Sequence, residues 1–313
     1  MKVAVTGANG FIGRNLCPAL ESGGIEVVRV VRRPEPGALA VGSIDGSTDW
    51  SAAVHGVDAV IHLAARTHIL KETASDPLTA FREVNTDGTI SLARQAARAG
   101  VRRFIFISSI HVHGLASGQK PFTVRDELHP HDAYSTSKIE AEQGLWKTAQ
   151  ETGMEVVVIR PPLVYGPGVG ANFLRLMKLA GSGLPLPLAS VRNRRSLVYV
   201  GNICGLIRVC LTNPRAAGQT FLVSDDQDVS TAELLRLLAG TMNKKARLFR
   251  FPELFLRMAG RLTGRSAEID RLCGSLYVDI AHTKETLGWK PTVSLEEGIK
   301  LCLSEKAHAD QIF

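Results

Sequence analysis

Short apolar runs rich in Val and Ile recur along the first half of the chain, at Val3–Val5, Val27–Val31, Ala59–Leu63, Phe104–Ile107 and Val156–Ile159. They are continuous rather than alternating, the pattern of strands buried on both faces of a parallel sheet. Between them lie stretches of helical period, Gly13–Glu21, Phe81–Ala99 and Ser135–Thr152, and Gly100 and Gly153 stand where helix stops belong. Strands alternating with helices predict an α/β protein built on a doubly wound parallel sheet. After Arg160 the pattern loosens. Pro161, Pro162, Gly166, Pro167, Gly168 and Gly170 crowd ten residues and read as a loop. Leu197–Val200 and Thr220–Val223 predict further strands, and Thr231–Ala239 a short amphipathic helix capped by Ser230 with Glu233 at the capping-box position. The expected organisation is a sheet domain from 1–160 and 196–224, with a smaller α/β domain from 161–195 and 225–313.

Composition narrows the class without naming it. The 313 residues are 45% hydrophobic and 21% charged, which suits folded domains rather than a disordered chain. The net charge of +7 fits an anionic small substrate as well as a nucleic acid or a membrane, so alone it decides nothing. With only 6% aromatics and no zinc spacing, nucleic-acid binding is not expected. Five cysteines (Cys17, Cys204, Cys210, Cys273 and Cys302) include no C-x-x-C pair, which argues against a disulfide framework or a metal site. The start runs from Met1 straight into a strand, and no apolar run approaches the ~18 residues of a membrane span. A cytoplasmic protein is expected.

Candidate chemistry begins at Gly7-Ala8-Asn9-Gly10-Phe11-Ile12-Gly13, between the first strand and the first helix. Glycines let a pyrophosphate approach the backbone, and the following helix N-terminus offers free N–H groups to the anion. The second strand ends in Arg32-Arg33 instead of a carboxylate. Guanidinium pairs with a ribose 2′-phosphate that an acid would repel, and Arg14 lies just past the third glycine. This favours NADP(H) over NAD(H). Both arginines also read as plain solvated charge. Tyr134 and Lys138 are four apart, on one helix face. A neighbouring ammonium and a nicotinamide cation would favour the phenolate, making Tyr134 a general acid and base for a carbonyl/alcohol couple. Ser109, just past the run Phe104–Ile107, would face the same oxygen at the ligand edge of the sheet.

These motifs, with Asp58–Ala65, Asn85, Ser108-Ser109, Arg160-Pro161-Pro162, Val164–Gly168, Arg195…Val200 and Leu287–Pro291, run nearly the whole chain. In that order they resemble an extended short-chain dehydrogenase/reductase of the nucleotide-sugar epimerase/dehydratase kind. The resemblance implies a Rossmann-like domain and a C-terminal domain closing over a UDP-sugar. It implies a catalytic set of Ser109, Tyr134 and Lys138, with Asn85 supporting an active-site water. It further implies cofactor contacts at Asp45, Leu63, Ala64, Ala65, Pro161 and Leu163, and substrate contacts at Asn172 and Arg195. His111 is a weaker substrate candidate. His113, where much of the family has Tyr, reads more readily as a structural histidine.

Ser109-Ile110-His111 lacks the acidic pair of family dehydratases, so elimination is not expected. The reading favoured by Arg32-Arg33 is NADPH-dependent reduction of the C4 ketone of a UDP-2-acetamido-2,6-dideoxy-4-keto-hexose, in surface polysaccharide biosynthesis. The alternative is an NAD-dependent 4-epimerase of UDP-glucose or UDP-N-acetylglucosamine. A non-catalytic NAD(P)-binding regulator is least favoured, because both Tyr134 and Lys138 are present. The family often forms homodimers through two helices, for which Phe81–Ala99 and Ser135–Thr152 are the candidates. Residues 244–271 carry eight Lys/Arg against three acids. They read first as an amphipathic helix with a solvated basic face, and secondarily as a peripheral membrane contact or a wall of the substrate pocket.

Overall fold

A seven-stranded, wholly parallel sheet in the order β3-β2-β1-β4-β5-β6-β9 organises the molecule. The computed structural model describes residues 1–67 and 74–309. The strands are β1 (Lys2–Thr6), β2 (Glu26–Val31), β3 (Leu39–Ala40), β4 (Ala59–His62), β5 (Arg103–Ile107), β6 (Glu155–Arg160), β7 (Leu163–Tyr165), β8 (Leu197–Tyr199) and β9 (Gln219–Leu222). The helices of the sheet region are α1 (Phe11–Ser22), α2 (Ser51–Val54), α3 (Pro77–Arg82), α4 (Gly88–Arg98) and α5 (Ala133–Thr152). Seven more follow: α6 (Ala171–Gly181), α7 (Val200–Thr212), α8 (Thr231–Thr241), α9 (Glu253–Leu262), α10 (Ser266–Cys273), α11 (Ala281–Leu287) and α12 (Leu295–Ala309).

The continuous apolar runs become strands covered on both faces. One apolar cluster packs α1, α7 and α11 on one side, around Leu16, Leu20, Ile203 and Trp289. A second packs α2, α4 and α5 on the other, around Trp50, Leu92 and Leu145. A third core, around Phe173, Leu235 and Ile299, belongs to a smaller C-terminal region built from α6, α8, α9 and α12. The capping box at Ser230 and Glu233 is present, and Gly153 ends α5 in the left-handed conformation.

Three details depart from the periodicity. The Phe81–Ala99 stretch is not one helix. It starts at Pro77 behind an Asp76 cap, and a π-turn at Glu83–Asp87 separates α3 from α4. The Pro/Gly-rich segment read as loop contains β7. The strand read over Leu197–Val200, β8, pairs with β7 in its own two-stranded ladder and not with the main sheet.

Consecutive strands β1 and β2 neighbour each other, yet β4 pairs with β1 on its other side. The direction in which successive strands are added therefore switches between β1 and β4, although all strands stay parallel. In open parallel sheets the ligand crevice opens beyond the carboxyl ends of the strands at such a point. The glycine loop after β1, the Leu63–Ala65 segment after β4 and Ser109 after β5 all lie on that edge.

Candidate active site

The glycine loop is shaped by contacts that only glycine permits. Gly7 has φ +65°, and a Cβ there would sit 2.9 Å from the Ala64 nitrogen. A Cβ on Gly13 would come within 2.4 Å of the Gly7 oxygen and 2.5 Å of the Ala8 oxygen. The Gly10 N–H donates to the Gly7 carbonyl and its own carbonyl accepts from Arg14 N, closing the turn into α1. Phe11 and Ile12 open that helix, whose cap Gly10 has no side chain to take the free N–H groups. The result is a close-walled anion cradle at a helix N-terminus, which fits a dinucleotide pyrophosphate. Ala64 N also donates to Thr6 Oγ1, joining the Leu63-Ala64-Ala65 wall to the end of β1. Pro161, whose carbonyl accepts from Ile110 N, and Leu163, which opens β7, lie beyond the end of β6.

Beside Asn9 of the glycine loop the structure adds a residue that sequence spacing did not single out. Glu35 accepts from Asn9 Nδ2 at 2.9 Å, so a carboxylate stands against the glycine loop. Arg32 and Arg33 are exposed and make no ion pair among the described residues. Asp45 is half-buried. Its carboxylate closes a local turn by accepting from Ser47 N and Oγ, which holds it below the usual carboxylate range.

The reactive groups meet over β5. Tyr134 and Lys138 lie one turn apart on α5, whose N-terminus is fixed by a reciprocal capping box between Asp132 and Ser135. The Tyr134 phenol hydrogen-bonds the hydroxyls of Ser109 and Thr67, and its ring meets Phe81 edge-on at 6.1 Å. Ser109 Oγ also accepts from His111 N, capping the short helical turn Ile110–His113. Burial raises the Tyr134 pKa, while the two hydroxyls lower it. Lys138 does not supply the expected pull on the phenol. Its ammonium donates to the Ile107 carbonyl at 2.9 Å and lies 4.4 Å over the Phe106 ring. Burial pushes it down to about 7, opposed by nearby Glu142.

Asn85 sits in the π-turn, an irregularity that recurs at functional sites. It was expected to support a water, but the protein engages its amide. Its Oδ1 accepts from Arg66 N, and its Nδ2 donates to Arg66 O and Ser137 Oγ. It therefore clamps the backbone just before Thr67. Thr67 itself carries no periodicity or motif signal, so spacing alone could not find it.

On the substrate side the expected residues are only partly brought together. The charges of Arg195 and Arg271 are felt at His111, whose ring lies 5.6 Å from His131. Burial leads in depressing His111 to about 4, followed by His131, with smaller contributions from these two arginines and an opposing one from Asp132. Arg195 Nη1 donates to the carbonyls of Arg271 and Gly274. Arg271, which spacing had placed in a generic basic segment, thus joins this cluster. Asn172 is exposed at the start of α6. His113 is a structural residue: its Nε2 faces Arg160 Nη1 at 3.0 Å and its ring stacks on Phe122. All five cysteines are buried and free. Among the described residues no cluster could hold a metal ion and no helix is long and apolar enough to cross a membrane.

Residues 3–224 match the family model described as the NAD dependent epimerase/dehydratase family. A UDP-glucose 4-epimerase of Vibrio cholerae is 46% identical over 95% of this chain and 93% of its own length. Two solved structures share the fold over 99% of both chains. One is a UDP-glucose 4-epimerase of Thermotoga maritima with UDP-glucose (TM-score 0.78, 22% identity). The other is a UDP-glucuronic acid 4-epimerase of Bacillus cereus in complex with NAD (TM-score 0.79, 19% identity).

Proposed function

The chain belongs to the NAD dependent epimerase/dehydratase family, and we propose that within it the chain is an NAD-dependent 4-epimerase of a UDP-hexose, UDP-glucose foremost. The observation that carries this reading is the Tyr134 phenol hydrogen-bonded to Ser109 at the carboxyl edge of the sheet, opposite the Gly7–Ala64 cradle. Likeness to the Vibrio cholerae 4-epimerase favours epimerisation over the reductase first suggested by Arg32-Arg33.

A nicotinamide bound beyond the Gly7–Ala64 cradle would supply hydride acceptance and return at sugar C4, the return to the opposite face giving the epimer. Tyr134 Oη takes the proton of the C4 hydroxyl and gives it back, a role that requires a phenol titrating near the working pH. Ser109 Oγ holds the same oxygen. The hydroxyls of Ser109 and Thr67 already stabilise the phenolate against burial. Lys138, donating to the Ile107 carbonyl, lies beneath the site. Arg195 and Arg271 hold the diphosphate by guanidinium pairing, with Asn172 at the α6 end of the cleft. Gly7, Gly10 and Gly13 would hold the dinucleotide pyrophosphate. Glu35, beside Asn9, disfavours a 2′-phosphate there and supports NAD. The unpaired Arg32 and Arg33 favour the second reading, a C4 reductase using NADPH.

Two measurements decide between them. Denatured protein is expected to release NAD⁺ stoichiometrically, and native protein to convert UDP-glucose to UDP-galactose with no dinucleotide added. No released dinucleotide, together with NADPH oxidation against a UDP-4-keto-6-deoxyhexosamine, overturns the epimerase reading.

A further inference from the structure

The outward face of α9 is apolar where a surface helix is ordinarily polar. Leu254, Phe255, Met258 and Leu262 are 67%, 52%, 48% and 86% exposed. At 100° per residue these four side chains share one side of the helix with Ala259. The opposite side is buried: Leu256 packs into the C-terminal core, and a Cβ on Gly260 would meet the Ile269 side chain at 2.8 Å. Tight packing on α10 therefore fixes which face points out. Scattered exposed leucines need no explanation, but four large apolar side chains on one helix face do.

Charge tells what covers this face. Arg257 pairs with both Glu253 and Asp270, so two of the three acids in segment 244–271 are already engaged by one guanidinium and leave the other cations unpaired. Lys245, Arg247, Arg250, Arg261 and Arg265 are exposed and make no ion pair among the described residues. A second copy of this chain docking face to face would bring the same unpaired cations against themselves. An anionic bilayer instead complements both features, taking the apolar side chains among its acyl chains and the cations at its headgroups.

We propose that α9 docks this protein on anionic membrane surfaces, with Leu254, Phe255, Met258 and Leu262 entering the interface and Arg250, Arg261 and Arg265 meeting the headgroups. This is independent of the reaction the cleft performs. The test is vesicle flotation with the full-length protein. Wild type is expected to float with phosphatidylcholine vesicles containing phosphatidylglycerol, weakly with pure phosphatidylcholine, and less as salt is raised. Each of Arg261→Gln and Arg265→Gln is expected to weaken the partition about fivefold. Phe255→Glu with Leu262→Glu is expected to abolish it, while circular dichroism and the thermal midpoint stay unchanged because both side chains are exposed. Three results would overturn the proposal. One is no flotation with phosphatidylglycerol. Another is flotation that survives Phe255→Glu/Leu262→Glu. The third is lipid-free self-association, measured by analytical ultracentrifugation, that the same double variant removes.

Discussion

Two opposing influences act on the phenol of Tyr134. Burial raises its pKa, and hydrogen bonds from Ser109 and Thr67 lower it. Burial outweighs them, so the phenol lies above its ordinary range, and proton transfer there draws on the added positive charge of a bound nicotinamide; no neighbour replaces the residue, since Lys138 is turned to the Ile107 carbonyl. Tyr134→Phe is expected to lower turnover by about 10²- to 10⁴-fold, the usual worth of a general acid–base group. The bound dinucleotide is expected to remain, read as NAD⁺ released on denaturing the purified variant. Variants surviving with full activity would remove the chemistry proposed above. Residue identity was legible here because Y-x-x-x-K and the three glycines are dictated by local geometry. Thr67 and Glu35 were not legible, because their roles come from chain segments that only folding brings beside Tyr134 and Asn9.

At the scale of elements, α5 lines up Tyr134, Lys138 and Glu142 at successive turns. Glu142 is buried and paired bidentately with Arg160 of β6, and it also accepts from Ser108 Oγ. The pair fixes α5 against the strand that leads to Pro161. Its Coulomb pull also raises Lys138 against burial. Glu142→Gln leaves the Arg160 guanidinium buried without its counter-charge. Breaking such a pair from one side costs roughly 3–5 kcal/mol, to be read by urea unfolding, with Glu142→Gln/Arg160→Met expected to recover part of the loss. The helix α5 itself could be read from period and caps. The Glu142–Arg160 bond joins residues 18 apart and has no signature in the spacing. The π-turn at Glu83–Asp87 was equally invisible, since the one extra residue per turn leaves the apolar count of Phe81–Ala99 almost unchanged.

For the whole molecule, three histidines are held neutral. Burial pushes His62 down to about 3, and His111 and His113 to about 4. In the unfolded chain each titrates near the ordinary histidine value of ~6.5. Between about pH 6.5 and those depressed values the unfolded chain binds more protons than the folded one, so stability falls as pH falls through that window. Urea midpoints are expected to drop steadily from pH 7 to pH 5. His113→Phe is expected to flatten part of that slope, whereas an unchanged slope would show that His113 is protonated in the folded state. His62 matters most to the architecture. It bridges Thr6 at the end of β1 to Thr89 on α4, whose hydroxyl in turn donates to the Asn85 carbonyl. This buried chain ties the glycine cradle to the π-turn.

Periodicity, glycine spacing and helix punctuation were enough to settle the parallel sheet, the tight glycine turn into α1 and the shared face of Tyr134 and Lys138. Those features depend on residues within a few turns of one another, where backbone sterics and hydrophobic burial leave few choices. Folding alone decided that β8 joins β7 outside the main sheet, that Glu35 stands at the cradle and that the Arg271 carbonyl accepts from Arg195. It also decided that Asn85 clamps Arg66 and that α9 turns its apolar side outward. Each of these follows from which distant segments pack together, and local spacing along the chain carries no record of that pairing.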